Sequence, residues 1–364
     1  MASKAKHRWL TWLLLCVALL VFARMARTAE LSQVLALFKA RGPILALSVL
    51  PYLLVLWFDA AGWGSLLSTL GRRVGAREVF WVRTSTEALH RSLPGGAVAA
   101  EAIKPYLLRK RAGVPIAETT ASLAMSKVLT IATQSLYIAV ASLVAFHLIG
   151  ANIFTWLSLG SALMLALLSL LAALVMGHGA VAERLYRVIH RIPVARLRNW
   201  LEEKERSFLE TDQHSTELFR AQKRRLAVSA LWLLGAWACE SLDSWISLRL
   251  LGVSASYVNV LCFESLVSLI RSLAFFLPGA LGVQDLSYMT FLKTFHVADD
   301  ANVLMAFVIL KRAKEVFWIA TGFVGLLMLQ RSRRSPPELI ETSQRGNSPK
   351  WSFGVCDGDS TERR

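Results

Sequence analysis

Lys127 and Lys311 each lie about ten residues inside a long apolar stretch, a depth at which an ammonium group is costly unless something answers it. Their surroundings match one another at a constant offset of 184 residues, without a gap. Asp59 falls on Asp243, Leu93-Pro94-Gly95 on Leu277-Pro278-Gly279, Glu101 on Asp285, and Lys127 on Lys311. Two chemistries are open to such a set. In the first, the lysines, with Arg312 and Lys314 beside Lys311, attract an anionic group, and peptide N–H donors at the half-helix starts after each Pro-Gly break add to the attraction. In the second, carboxylates neutralise the lysines and hold each broken segment in place, Lys127 with Glu101 or Asp59, because opposite charges in low dielectric stabilise one another strongly. Asp59 and Asp243 could also take up protons and couple the site to a proton gradient; neutralisation is the preferred role. Glu87 with Arg91, and Glu264 with Arg271, have helical spacings that read as further pairs. Lys311, Arg312, Lys314 and Glu315 spread around a helix rather than along one stripe, so some of them must contact protein or water.

These residues need elements to position them, and the elements are membrane-spanning. Hydrophobic residues make up 55% of the 364, there are 12 Trp, and mean hydropathy is +0.47, which places the chain among polytopic proteins. Apolar runs predict six spans, at about 9–26, 43–63, 117–148, 153–176, 226–251 and 301–329. The first also resembles a signal peptide, but Arg24 sits in its only small-residue site, and an uncleaved helix is expected. Residues 79–101, with Arg83, Glu87, His90 and Arg91, are too polar to face lipid and are predicted to form a re-entrant hairpin turning at Pro94, Gly95 and Gly96. Residues 256–297 form the second hairpin, broken at Pro278, Gly279 and Gly282, where glycine allows tight turns and close approach. The expected fold is an all-α polytopic membrane protein of about six transmembrane helices plus two re-entrant helical hairpins.

The domain organisation follows from this: an N-terminal helix and connection over 1–42, a first membrane repeat over 43–176, a basic loop over 177–225, a second repeat over 226–330, and a polar, Pro/Ser-rich tail over 331–364 expected to be disordered. Lys and Arg bias places Arg72, Arg73, Arg77, the 177–225 loop, Arg331, Arg333, Arg334 and both termini in the cytoplasm, with the uncharged connections 149–152 and 252–255 outside. The 24–42 connection, with Arg24, Arg27, Lys39 and Arg41 against Glu30, departs from the rule. In this topology 43–63 and its match 226–251 run in opposite directions. The repeat is therefore inverted, and both hairpins dip toward one shared site, the architecture of an alternating-access transporter.

Other classes find little support. The net charge of +16 does not indicate nucleic acid, because the basic residues sit at the ends of apolar runs. Cys16, Cys239, Cys262 and Cys356 show no metal-ligand spacing, and there is no phosphate-binding loop, no paired His and no nucleophile elbow, so neither metal nor cofactor nor enzymatic activity is expected. The 177–225 loop, with eleven Lys and Arg against seven acidic residues, suits an anionic leaflet first and a soluble partner second.

The segment RSLPGGAVAAEAIKPYLLRKRAG from Arg91, the segment RSLAFFLPGALGVQDLSYMTFLKTF from Arg271 and the segment LKRAKEVFW from Leu310 resemble the flippase-like membrane domain of lysylphosphatidylglycerol synthetases over roughly 43–330. The second Pro-Gly segment looks most like the hopanoid-associated branch. The resemblance implies a bacterial inner-membrane protein that moves lipid, in that branch a hopanoid on its way to the outer membrane. The lysyl-transferring relatives carry a large soluble domain after the membrane part, whereas 34 residues follow Gln330 here, so aminoacyl transfer is not expected of this chain. Membrane lipids, hopanoid or anionic, are the expected partners, with lipid-biosynthesis or transport proteins as further candidates. A hopanoid is almost uncharged, and the clustered cations suit an anionic head group better. A scaffold of a lipid-synthesis complex is the third reading, and it would leave the intramembrane charges dispensable.

Overall fold

The computed structural model describes residues 30–93, 95–177, 210–219, 223–274 and 277–331, and every regular element among them is helical. The first part of the chain gives α1 (Leu31–Arg41), a 3-10 segment (Gly42–Val49), α2 (Leu50–Thr69), α3 (Ala76–Ser92), α4 (Gly96–Ala112), α5 (Ile116–Ile149) and α6 (Ile153–Gly177). The second gives α7 (Lys223–Leu250), α8 (Tyr257–Leu273), a 3-10 turn (Pro278–Ala280), α9 (Val283–Thr294) and α10 (Ala301–Arg331). Residues 210–219 are helical as well. One order of elements thus occurs twice: a long helix, two shorter arms around a Pro-Gly break, and a second long helix.

Among the described residues, four stretches are long and apolar enough to cross a membrane: Leu31–Thr69, Ile116–Ile149, Ile153–Gly177 and Lys223–Leu250. They contain four of the six expected spans. The expected span 9–26 lies outside the described residues, as do the tail after Arg331 and most of the 177–225 loop. The remaining span, 301–329, is one 31-residue helix, but Lys311, Arg312, Lys314 and Glu315 interrupt its apolar run. The burial pattern suits lipid: on α6, Leu163, Leu167, Leu170 and Leu171 are each about half exposed or more, a continuous apolar face that water would not tolerate.

Two expectations need correction. The helix expected over 43–63 starts as a 3-10 turn and becomes α-helical only at Leu50, running on to Thr69. Pro43 and Pro51 explain the start, since each lacks the N–H that would bond one turn back. The first hairpin is longer than 79–101, with arms reaching from Ala76 to Ala112. Its polar sequence forms a stable helix because α3 is strongly two-faced, burying Val79, Val82, Thr84, Ser85, Thr86 and Ala88.

Each hairpin packs its first arm on a long helix from the other half of the chain: α3 lies along α10, and α8 lies along α5, while α2 pairs with α7. Small residues set the distance. A methyl group on Gly322 would come within 2.6 Å of Ala88 Cβ and of the Thr84 carbonyl oxygen, so α10 and α3 touch backbone to backbone there. The connection after α2 is tied to α5 by Arg72, whose guanidinium donates to both carboxylate oxygens of Glu118 at 2.6 and 2.7 Å.

The crossing yields a stability test. Gly322→Ala is expected to destabilise the purified protein by about 1–3 kcal/mol through overpacking. Gly160→Ala, at a helical position with nothing within 4 Å, is expected to be neutral or mildly stabilising. Thermal unfolding in detergent separates the two, and equal effects would contradict the close crossing.

Candidate functional site

The charged residues of the membrane core converge on a small cavity at the meeting point of both hairpins and α10. Its volume is about 40 Å³, room for a few waters or one small polar group and not for a lipid tail. The first half of the chain contributes Tyr52 from α2 and Arg91 from α3; the second contributes Glu240 and Asp243 from α7, Arg271 from α8 and Gln284 and Tyr288 from α9. Helix α10 supplies Lys311, Arg312, Lys314, Glu315 and Trp318. At 100° per residue these five occupy an arc of about 160°. The spread around the helix is therefore a wide face, and all five line the same space.

Helix α10 is anchored on α7 by a two-to-one ion pair. Asp243 accepts from Lys311 Nζ at 2.9 Å and from Lys314 Nζ at 2.8 Å, and Lys314 also donates to Ser247 Oγ at 2.7 Å. Asp243 and Lys314 are almost fully buried, so each would be costly without the other. Lys311 also rests over the Tyr288 and Phe307 rings, 5.5 and 5.8 Å from their centroids. Neutralisation is the arrangement found at this carboxylate.

Arg312 reaches from α10 to the second hairpin. Its Nε donates to Asp285 Oδ1 at 2.8 Å and its Nη1 to the Gly279 carbonyl at 3.0 Å, and it pairs with Glu315 one turn along. Asp285 accepts from the Gly282 N–H at 3.0 Å as well, which closes the start of α9. Gly279 has φ +53°, and a side chain there would run into Glu315. Arg91 makes the corresponding reach from the first hairpin, to Glu315 at 3.2 Å, to Glu87 at 2.8 Å and to the Tyr52 hydroxyl at 2.6 Å. Glu315 is thereby shared between guanidinium groups carried by two different helices.

The other expected residues lie elsewhere. Lys127 pairs with Glu101 at 2.7 Å, and Lys104, buried beneath, shares that carboxylate at 2.8 Å. Lys127 is half exposed and does not line the cavity, so the lysine of the first half braces its hairpin while that of the second faces the site. Asp59 does not reach Lys127; it pairs with Arg83 of α3, which also bonds Glu87 at 3.0 Å. The expected pair of Glu264 with Arg271 is not formed either. Arg271 takes Glu240, at 2.5 Å, and Glu264 accepts from the hydroxyls of Ser244 at 2.5 Å and Tyr288 at 3.2 Å. At the hairpin turns, Gly95 has φ +66° and Gly96 sits so close to Leu89 and His90 that a methyl group would overlap their carbonyls. Pro94 lies outside the described residues, and Pro278 opens the second turn.

Sequence reasoning missed Tyr52, Glu240, Gln284, Tyr288 and Trp318 as members of this cluster. Two carried a signal: Glu240 precedes Asp243 by one turn, and Trp318 follows Lys311 by two turns on the same face. Among the described residues no cluster of His, Cys, Asp and Glu is arranged to hold a metal ion.

Long lipid-facing helices around a core of buried ion pairs define an all-α, multi-pass membrane protein. Residues 9–323 match the profile of the lysylphosphatidylglycerol synthase transmembrane region, and the chain belongs to that family. Among curated proteins and among solved structures, nothing matches the chain at a significant level. Family membership ties the protein to lipid-related function.

The ion pairs give a direct test. Asp243→Asn strands two buried ammonium groups and is expected to cost about 3–5 kcal/mol. Adding Lys314→Met to that variant is expected to restore part of the lost thermal stability, and strict additivity of the two changes would show that the groups do not interact.

Proposed function

We propose that the protein is a lipid translocator of the bacterial inner membrane, with both termini in the cytoplasm, which passes a polar head group between its two hairpins without making or breaking a covalent bond. One observation carries this reading: a polar cavity at the core of the fold is lined from both halves of the chain, by residues of both hairpins among others, with ionised groups that are costly to keep there for structure alone. The twice-repeated order of elements, and the packing of each hairpin on a helix of the other half, support an inverted repeat in which hairpin and helix move against one another. Lipid tails would remain in the bilayer beside the exposed apolar helices, since the cavity admits only a small group.

The resemblance to the hopanoid-associated branch makes hopanoid movement toward the outer membrane the first substrate reading. A second reading, an anionic phospholipid or a polyprenyl-phosphate-linked lipid, is favoured by the cavity itself, where Lys and Arg outnumber Asp and Glu by five to three. A non-catalytic scaffold for a lipid-synthesis complex accounts for the family but not for the buried charges.

The lipid content of separated inner and outer membranes tests this in wild type, in a deletion strain and in Lys311→Ala. The expected result is retention of the transported lipid in the inner membrane in both mutants, with the variant present at wild-type level. Retained hopanoid supports the first substrate, and retained anionic lipid supports the second. Unchanged distributions of both would remove the translocator reading.

A further inference from the structure

Three side chains that line the cavity each keep one polar atom buried without a hydrogen-bond partner among the described residues: Nη2 of Arg312, Nε1 of Trp318 and Oε1 of Gln284. Buried polar atoms of this kind are uncommon and call for a partner. Two are donors, one of them cationic, and the third is an acceptor. The rest of Arg312 is fully engaged by Asp285, Gly279 and Glu315, so Nη2 is the part of the guanidinium left to bond something else. The Gln284 amide is similarly divided, with Nε2 donating to the Tyr288 hydroxyl at 3.2 Å and Oε1 unmatched.

The surrounding charge narrows the chemistry. Five lining side chains are cations and three are carboxylates. Glu87 and Asp285, which answer Arg91 and Arg312 from behind, do not line the space. The cavity therefore faces positive charge whose counter-charge partly sits on the far side. A complementary group is small, carries negative charge, offers at least two acceptor oxygens and has one O–H for Gln284. A phosphate monoester as its singly protonated anion has all four properties. A phosphodiester lacks the O–H, and a neutral polyol lacks the charge.

We propose that this cavity is a phosphate subsite in which Arg312 and Trp318 donate to two phosphate oxygens and Gln284 accepts from the third. Resting on the translocator reading, the proposal narrows its substrate to a lipid that ends in a phosphate monoester. The same chemistry is presented by free inorganic phosphate, and the two sources are separable by experiment.

Binding is measured on the purified full chain in dodecyl maltoside micelles, which contain no phosphate, by titration with monododecyl phosphate, inorganic phosphate and the neutral dodecylglycerol. Trp318→Phe keeps an aromatic ring and removes the N–H, so one charge-assisted hydrogen bond is lost and affinity for the phosphate probes is expected to fall about tenfold. Gln284→Met is expected to weaken them several-fold, and Trp57→Phe, on an exposed face of α2, to leave them unchanged. Tighter binding of dodecyl phosphate identifies a lipid source, and tighter binding of inorganic phosphate identifies a free one; either supports the subsite. The proposal is overturned if neither phosphate probe binds, if dodecylglycerol binds equally well, or if both site variants keep wild-type affinity. Because no transport is measured, phosphate binding together with unchanged lipid distribution in cells would keep the subsite and reject translocation instead.

Discussion

Two ammonium groups and one carboxylate, Lys311, Lys314 and Asp243, set the terms for the rest of the membrane core. Inside a low-dielectric interior none of them is affordable alone, so α7 and α10 must stay within hydrogen-bond distance of each other at this level. That fixes the rotation of α10, and the rotation in turn carries Arg312 toward the second hairpin and Glu315 toward the first. Both hairpins, whose broken backbone needs cover at membrane depth, are then tethered to a single helix through side chains three residues apart.

The two halves have kept the same acids and given them different partners. Asp59 and Asp243 occupy equivalent places, yet Asp59 is answered from its own hairpin by Arg83 and Asp243 from α10. Glu101 and Asp285 also correspond, but Glu101 takes the equivalent lysine and Asp285 takes the neighbouring arginine. At the positions matching Arg83, Arg312 and Lys314 the other half has Val267, Val128 and Thr130, which cannot substitute for them. Apart from Arg91, which reaches across to Glu315, the first half thus braces itself internally, and the second half opens its charges onto the cavity. This asymmetry explains why Lys127 and Lys311, identical by sequence position, differ so much in burial and surroundings.

Much of this was legible in the sequence and some was not, for a definite reason. The Pro-Gly breaks, the long apolar spans and the acids at fixed offset are local or periodic features, and the helices with their two interruptions follow from them. Which cation meets which acid depends on packing between helices far apart in the chain. The spacing of Glu264 and Arg271 suggested a pair along α8, whereas Arg271 found Glu240 on α7 and Glu264 was left to two hydroxyl groups. Tyr52, Gln284 and Trp318 were invisible for the same reason, since each is an ordinary residue in an ordinary helix until α2, α9 and α10 are brought together.

These helices enclose a small polar space, and the proposed passage of a head group requires that water reach it from the membrane surface. Thiol accessibility tests it most directly. In a chain whose own Cys16, Cys239, Cys262 and Cys356 are replaced by serine, Gln284→Cys is introduced and sealed vesicles are treated with a membrane-impermeant maleimide from each side in turn. The expected result is labelling from at least one side at a rate well above that of a cysteine introduced at the buried core position Leu292. An introduced cavity thiol as unreactive as the core control from both sides, in protein that still folds, would contradict the account.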